Sequence, residues 1–424
     1  MRANVLSVDI GTSSLKAAII TVDGYDEGIV RVRFPRSGAR TTKDWIQAFT
    51  EALELLKIGR QDVEELRAIV VSGNGPTLVG INDKGEAGPV LMWNDPLDFE
   101  AAHKARETGP SLFIPRIIEY RGRYPEFASE GCRILSAPEF LLWKLTGNPV
   151  TILPTPRYES TYWTAASLSE ANIDGGLLPS FVHSGQKVGQ WKPPHYAHPI
   201  TAIAGGPDFF VALAGTGAIL PGLACDRAGS SEGLNICLAN RVSHPDIRVL
   251  PSVQEPYWNA SYLLPETGFL FNTWRLLSDQ SDQSYPQLLQ EIVHSPIIPP
   301  EGEAPHQGRQ LVEGIAFSVR TAALTLKEAT GFKGEWRLSG GQAKNAIWNQ
   351  LKADITGETF VLTEMTDGEL MGNAVIAFHS MGRYKTLALA AKKMIRVVNR
   401  YTPNRNLHNI YKEKYNRFME KPSL

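Results

Sequence analysis

One aspartate, Asp208, stands between Gly205-Gly206-Pro207 and an apolar run that begins Phe209-Phe210-Val211. A carboxylate in apolar surroundings is costly unless it is bonded or has chemistry to perform. Two assignments are open to it: the N-cap of a helix starting there, or a general base that takes a proton from a hydroxyl nucleophile. Asp9 poses the same question at the end of an apolar run, just before Gly11-Thr12-Ser13-Ser14. It either caps that turn through its own backbone or helps to hold a hydrated Mg²⁺. That hard cation takes one or two carboxylates and keeps waters and phosphates as its other ligands.

Four glycine-bearing turns follow or join strand-like runs: Gly11-Thr12-Ser13-Ser14, Gly205-Gly206-Pro207-Asp208, Gly229-Ser230-Ser231-Glu232-Gly233 and Gly340-Gly341. Glycine admits close backbone approach to a ligand, and free amides beside hydroxyls make phosphate cradles. One such turn is ordinary hairpin chemistry. Four, two with hydroxyls and two flanked by lone aspartates, point to a phosphorylated ligand. Neither G-x-x-x-x-G-K-[ST] nor a well-placed G-x-G-x-x-G occurs, which excludes the common nucleotide loops. The segment 229–233 formally matches G-x-S-x-G, but "CDRA" precedes it and strand-like "LNICLA" follows. A nucleophile elbow needs a strand before and a helix after, so a serine hydrolase is not indicated. His195 and His198 lie among prolines with no third ligand in view, which leaves no metal site there.

Composition narrows the classes further. The 424 residues suffice for about two domains, 43% apolar and 21% charged, with a formal net charge of −1. No positive field is available for nucleic acid or an anionic membrane. Cys132, Cys225 and Cys237 form neither a disulfide framework nor a zinc spacing. The opening "MRANVLSVDIGTSS" is too soon interrupted by Asp9 for a signal peptide, and no apolar stretch is long enough to span a bilayer. The expectation is a cytoplasmic protein.

The elements that must hold these residues alternate strands with helices, an α/β pattern. Leu15 opens a second apolar run closed by Asp23-Gly24, a hairpin signal. "TTKDWIQAFTEALELLKIG" reads as a helix capped by Thr41 or Thr42 and ended by Gly59, and "SAPEFLLWKLTGN" as one ended by Gly147. A hairpin is expected at Asp83-Lys84-Gly85 and a helical pattern over 96–107. The proline-rich "WKPPHYAHPI" marks a boundary, so the domains are expected at 1–199 and 200–424. After it the order strand, glycine turn, apolar run, turn restarts, as at the amino terminus, which suggests a duplicated fold. Helices are expected in "LVEGIAFSVRTAALTLKEATG" and "ELMGNAVIAFHSMGRY", with strand, turn and helix in "EWRLSGGQAKNAIWNQLKADITG". The tail "YKEKYNRFME" reads as a surface helix packed on one side.

Taken in order, "VLSVDIGTSSLKAAIITVDG", "VVSGNGPTLVGINDKGEAGPVLMWND", "ILSAPEFLLWKLTGN", "AIAGGPDFFVALAGTGAILPG", "LSGGQAKNAIWNQLKADITG" and "ELMGNAVIAFHSMGRY" resemble the FGGY family of carbohydrate kinases, within the actin-like ATPase superfamily. The resemblance implies two actin-like (ribonuclease H-like) α/β domains, each with a mixed sheet of five-stranded type flanked by helices, and an interdomain cleft for sugar and Mg-ATP. It implies Asp208 as the base and Asp9 beside the Mg²⁺. Gly11, Thr12 and Ser13 then form the first phosphate hairpin, and Gly229, Ser230 and Ser231 the second. Gly340, Gly341 and Asn345 fall to the adenosine segment, Asn74 and Trp93 to the sugar pocket. The partner is a small sugar or polyol, a pentulose such as xylulose favoured, with no nucleic acid and no membrane. A homodimer is compatible with the sequence, which does not otherwise address oligomeric state. The alternative is a catalytically inactive sugar- or nucleotide-binding relative. The chain departs from xylulose kinases in carrying Gly75-Pro76 after Ser72-Gly73-Asn74 and Phe209 after Asp208, both in the sugar pocket. Glu232 adds negative charge beside the second phosphate turn.

Overall fold

A computed structural model describes residues 4–35, 38–58, 66–98, 101, 103, 111–278, 280 and 282–420. Contacts divide the chain into two compact units, 1–215 with 369–394, and 216–368 with 395–424. No described helix is long and apolar enough to cross a membrane.

The first unit is built on a six-stranded sheet. Asn4–Ile10, Ser14–Thr21 and Asp26–Arg33 form an antiparallel meander. On the other side of Asn4–Ile10, Leu66–Gly73 and then Ile200–Pro207 pair in parallel, and Lys187–Trp191 adds an antiparallel edge. Asn4–Ile10 is buried at every position, as parallel strands covered on both faces are. Helix Thr42–Leu55 packs there through Trp45, Phe49 and Ala52. Thr41 and Asp44 close a capping box at its start; the expected stop, Gly59, lies outside the described residues. Helix Ala137–Thr146 is capped by Ser136 with Glu139 and stopped by Gly147 in the left-handed region. Leu78–Ile81 and Ala87–Leu91 pair around the expected turn at Asp83-Lys84-Gly85. Most of the helical pattern expected over 96–107 lies outside the described residues.

The second unit repeats the same strand order. Ala224–Ala228, Glu232–Leu238 and Trp258–Leu264 form the antiparallel meander. Trp336–Ser339 and Phe360–Thr363 continue in parallel from Ala224–Ala228. Arg248–Pro251 and Val397–Tyr401 add antiparallel edges, giving seven strands. Each sheet is therefore the expected five-stranded arrangement with edge strands added. Helices Gln307–Thr330, Ala346–Thr356 and Arg405–Glu420 cover it, the last burying Tyr411 and Tyr415 on its inner side.

Two expectations are corrected. The 199/200 boundary cuts the first unit's sheet, because Ile200–Pro207 pairs with Leu66–Gly73. The proline-rich segment before it is only the link between two adjacent antiparallel strands. For the same reason the repeat of the amino-terminal order starts at Ala224, and Asp208 belongs to the first unit.

Helix Gly368–Ser380 returns the chain to the first unit. At Gly372 it meets helix Asp208–Thr216 backbone to backbone: a Cβ there would lie 1.7 Å from the Val211 carbonyl oxygen. Gly372→Ala is expected to destabilise the protein by about 3 kcal/mol, the upper range for overpacking a tight contact, measured by urea unfolding. An unchanged midpoint would show that the helices can part freely.

Candidate active site

In the first unit, the ends of adjacent strands gather Asp9, the turn after it, Ser72 and Asn74, with Asp208 one residue beyond Ile200–Pro207. Asp9 is 3% exposed. Its Oδ1 accepts from the Ser72 hydroxyl at 2.9 Å, and that hydroxyl accepts from Asn373 Nδ2 at 2.9 Å. Asn373 also donates to the Val8 carbonyl at 3.0 Å. The turn is closed separately, by the Gly11 amide on the Ser14 carbonyl at 3.0 Å. Asp9 thus bonds to a neighbouring strand, while its own turn is closed by backbone.

Burial pushes the Asp9 carboxyl up to about 7, helped by the charges of Glu369 and Asp208 and opposed by Lys16 and the Ser72 bond. Lys16 lies across the hairpin, 3.7 Å from Glu369. Such a buried carboxylate with two acidic neighbours suits a cation that keeps its own waters. Among the described residues no three His, Cys, Asp or Glu side chains are grouped to hold a metal by themselves.

Asp208 is half-buried in the first turn of its helix, where its Oδ1 accepts from the Phe209 amide at 2.6 Å. Phe209 faces the Tyr158 ring at a centroid distance of 6.3 Å. Thr12 has a role that its sequence position did not announce. Its hydroxyl accepts from Asn74 Nδ2 and from Trp93 Nε1, each at 3.0 Å. Trp93 is held in turn by its own amide on Thr77 Oγ1 at 3.1 Å and by Arg116, which donates to its carbonyl. The structure therefore brings Asn74, Trp93 and Thr12 together, while Ser13 is exposed at the turn.

In the second unit, the turn Gly229-Ser230-Ser231 exposes Ser230 and half-buries Ser231. Its carbonyls are pinned from outside: Gly268 and Phe269 amides donate to Ser230, and Gln342 Nε2 to Gly229 at 2.8 Å. Gly340 needs its glycine, since φ is +91° and a Cβ would lie 2.4 Å from the Ala228 carbonyl oxygen. Gly341 is exposed beside it. Asn345 Oδ1 caps helix Ala346–Thr356 by accepting from the Trp348 amide at 3.0 Å, and its Nδ2 meets no acceptor among the described residues.

Glu232 is directed into the interior and not at the turn Gly229-Ser230-Ser231. It is buried with Asp226 against Lys352, which donates to Glu232 Oε1 at 3.1 Å and to Asp226 Oδ2. All three side chains are 0% exposed. Burial and the charge of Glu232 push the Asp226 carboxyl up to about 8, against the pull of Lys352. Lys352 was visible in sequence as an anomaly: it follows Trp348 by four residues, on the apolar face of its helix. Asn373 and Glu369 gave no such signal, being more than 350 residues from Asp9.

Folded, Asp226 keeps its proton up to about pH 8; unfolded, it loses it near the ordinary 3.8. Its contribution to stability therefore falls as pH rises between those values, by about 1.4 kcal/mol per pH unit at most. Asp226→Asn is expected to flatten the decline between pH 6 and 8 in urea unfolding. An identical slope in the variant would show that Asp226 is not the proton holder.

Comparison with known proteins agrees with this architecture. Residues 286–381 match the model of the C-terminal domain of the FGGY family of carbohydrate kinases. A xylulose kinase of Staphylococcus epidermidis is 23% identical, the alignment covering 97% of this chain and 95% of that protein. One from Bacillus subtilis is 22% identical over 97% and 96%. The solved structure of a ligand-bound xylulose kinase from Lactobacillus acidophilus shares the fold with a TM-score of 0.82, at 16% identity over 99% and 97% of the two chains. Residues 286–381 thus match the C-terminal domain of the FGGY family of carbohydrate kinases, and the chain is similar to xylulose kinases along nearly its whole length.

Proposed function

We propose that this protein transfers the γ-phosphoryl group of Mg-ATP to a hydroxyl of a small sugar or polyol, with a ketopentose such as xylulose favoured. The observation that carries the reading is the pairing of Asp208, half-exposed at a helix start, with the buried Asp9 whose proton affinity it raises. The relatives named xylulose kinase support the choice of acceptor.

Phosphoryl transfer asks a protein mainly for positioning and charge stabilisation. Mg-ATP supplies the phosphoryl group and the divalent charge. Asp208 takes the proton from the attacking hydroxyl. Asp9, locked by Ser72, is the carboxylate for the hydrated metal, and Lys16 balances the acidic cluster. Asn74 and Trp93, tied to Thr12, orient the acceptor. Gly11, Thr12 and Ser13 offer one set of phosphate contacts; Gly229, Ser230 and Ser231 offer the other. Gly340, Gly341 and Asn345 take the adenosine. Exclusion of water, which competes with the sugar as acceptor, completes the requirement. A cytoplasmic setting belongs to the same reading.

The inactive relative is the rival. The burial of Glu232 against Lys352 removes the charge that spoke against ATP at the second turn. ADP release with Mg-ATP across ketoses, aldoses, polyols and sugar acids decides between them: the kinase shows sugar-stimulated turnover, and none with any acceptor sinks it. Asp208→Asn is expected to lower kcat by about 10²- to 10⁴-fold while ATP binding persists. Turnover within a few-fold of the parent would remove Asp208 from the role of base.

A further inference from the structure

Helix Thr267–Leu277 of the second unit is apolar on both of its sides. The inner side packs on its own unit. Thr267, Gly268 and Phe271 are buried, and Phe271 meets Tyr285 at a ring-centroid distance of 4.8 Å. Trp274 lies so close to helix Gln307–Thr330 that a Cβ at Gly308 would come within 2.7 Å of its ring. The start of the helix is tied down by the Gly268 and Phe269 amides on the Ser230 carbonyl, at 3.0 and 3.1 Å. Residues three and four apart share a helix face, so the opposite side carries Phe269, Thr273 and Leu276 in one row and Leu270 and Leu277 in the next. These rows stand in water: Phe269 is 58% exposed, Leu270 43%, Leu276 70% and Leu277 83%.

A helix that is apolar all round belongs in an interior. One exposed leucine is ordinary on a soluble protein, but four large apolar side chains along a single helix face form a patch. At these exposures they leave roughly 500 Å² of apolar surface in water, a size at which patches mark interaction sites. The face is held in a fixed register by the packing behind it, so little ordering is needed on association. It also offers no charge. Arg275 is the one charged residue of the helix and lies on the inner side, its guanidinium taken by the Gln280 and Gln283 carbonyls.

The chemistry of the face selects its occupant. The longer stretches of this chain outside the described residues, 59–65 and 104–110, read GRQDVEE and KARETGP, and neither has an apolar row to lay against it. A partner recognised through ion pairs would find no countercharge. A second copy brings the same uncharged rows, and a two-fold pair sets each patch on its equal with no like charges in contact. Two such faces together bury about 1,000 Å², the area at which a specific interface begins. We propose that the outer side of helix Thr267–Leu277 is a homodimer interface, where Phe269, Leu270, Leu276 and Leu277 of two copies pack across a two-fold axis. None of these side chains has a part in the phosphoryl-transfer reading, so the interface stands or falls apart from it.

Sedimentation equilibrium of the full chain over a range of concentrations tests this. The parent is expected to reach twice the chain mass and stop there. Leu276→Lys and Leu277→Lys are each expected to raise the dimer Kd by about a hundredfold, because a symmetric pair loses the side chain twice and burial of one leucine is worth about tenfold. Leu389→Lys, at an exposed leucine of the first unit, serves as the control and leaves the Kd within a few-fold of the parent. Circular dichroism of the diluted, monomeric variants checks that they fold, since both substitutions are on the surface; Leu277→Gln replaces either one that does not. A parent of single-chain mass at every concentration overturns the interface. So does a dimer that the helix substitutions leave intact, which places the contact elsewhere. Open-ended growth beyond the dimer, or equal weakening by Leu389→Lys, marks non-specific association and overturns it as well. None of these masses depends on turnover, so a failed interface leaves the kinase standing and a failed kinase leaves the interface standing.

Discussion

A carboxylate at the end of a strand buried on both faces is the constraint around which the first unit is arranged. Asp9 cannot be solvated where it stands, so its neighbours must supply bonds and charge. Ser72 comes from the adjacent parallel strand, Lys16 from the hairpin partner, Asn373 and Glu369 from a helix that returns from far along the chain. That helix can reach the site because Gly372 lets it touch the backbone of the helix that Asp208 begins. Packing at one glycine and electrostatics at one aspartate are therefore parts of the same arrangement.

The second unit meets the same topological problem with different chemistry. Its first strand also carries an acidic residue just ahead of the turn 229–231, Asp226, and its second strand opens with Glu232. Here the compensating cation is itself buried: Lys352 rises from the covering helix into the sheet and holds both carboxylates. Burial, and then the charge of the second acid on the same lysine, are why Asp226 holds a proton so firmly. The triad ties the base of the turn 229–231 to the helix capped by Asn345, so the phosphate and adenosine candidates of this unit share one support. In the first unit the charged cluster includes the half-buried Lys16 and Asp208; in the second all three side chains are sealed from solvent.

Much was legible in the chain. Asp9, Asp208, the hydroxyl-bearing turns and the helix stop at Gly147 announced themselves by residue type against an apolar background. The duplicated strand order was legible in outline, yet its second copy was placed too early. Proline content marked 191–200 as a boundary, whereas what defines a sheet is pairing, and Ile200–Pro207 pairs backwards to Leu66–Gly73. Thr12 was read as a phosphate contact alone because its bonds to Asn74 and Trp93 span 62 and 81 residues.

By itself the sequence determined which residue types stand at the strand ends: acid, glycine and hydroxyl in an order that specifies phosphate chemistry. Local rules suffice for that, because turns, caps and strand burial depend on neighbours within a few positions. Only the tertiary structure decided which side chains answer those charges. Lys352 meets Glu232, Asn373 meets Ser72, and Arg40 meets Thr12 through long-range packing, and the strength of a buried charge's interactions depends on the distance to its partner and on the water excluded between them.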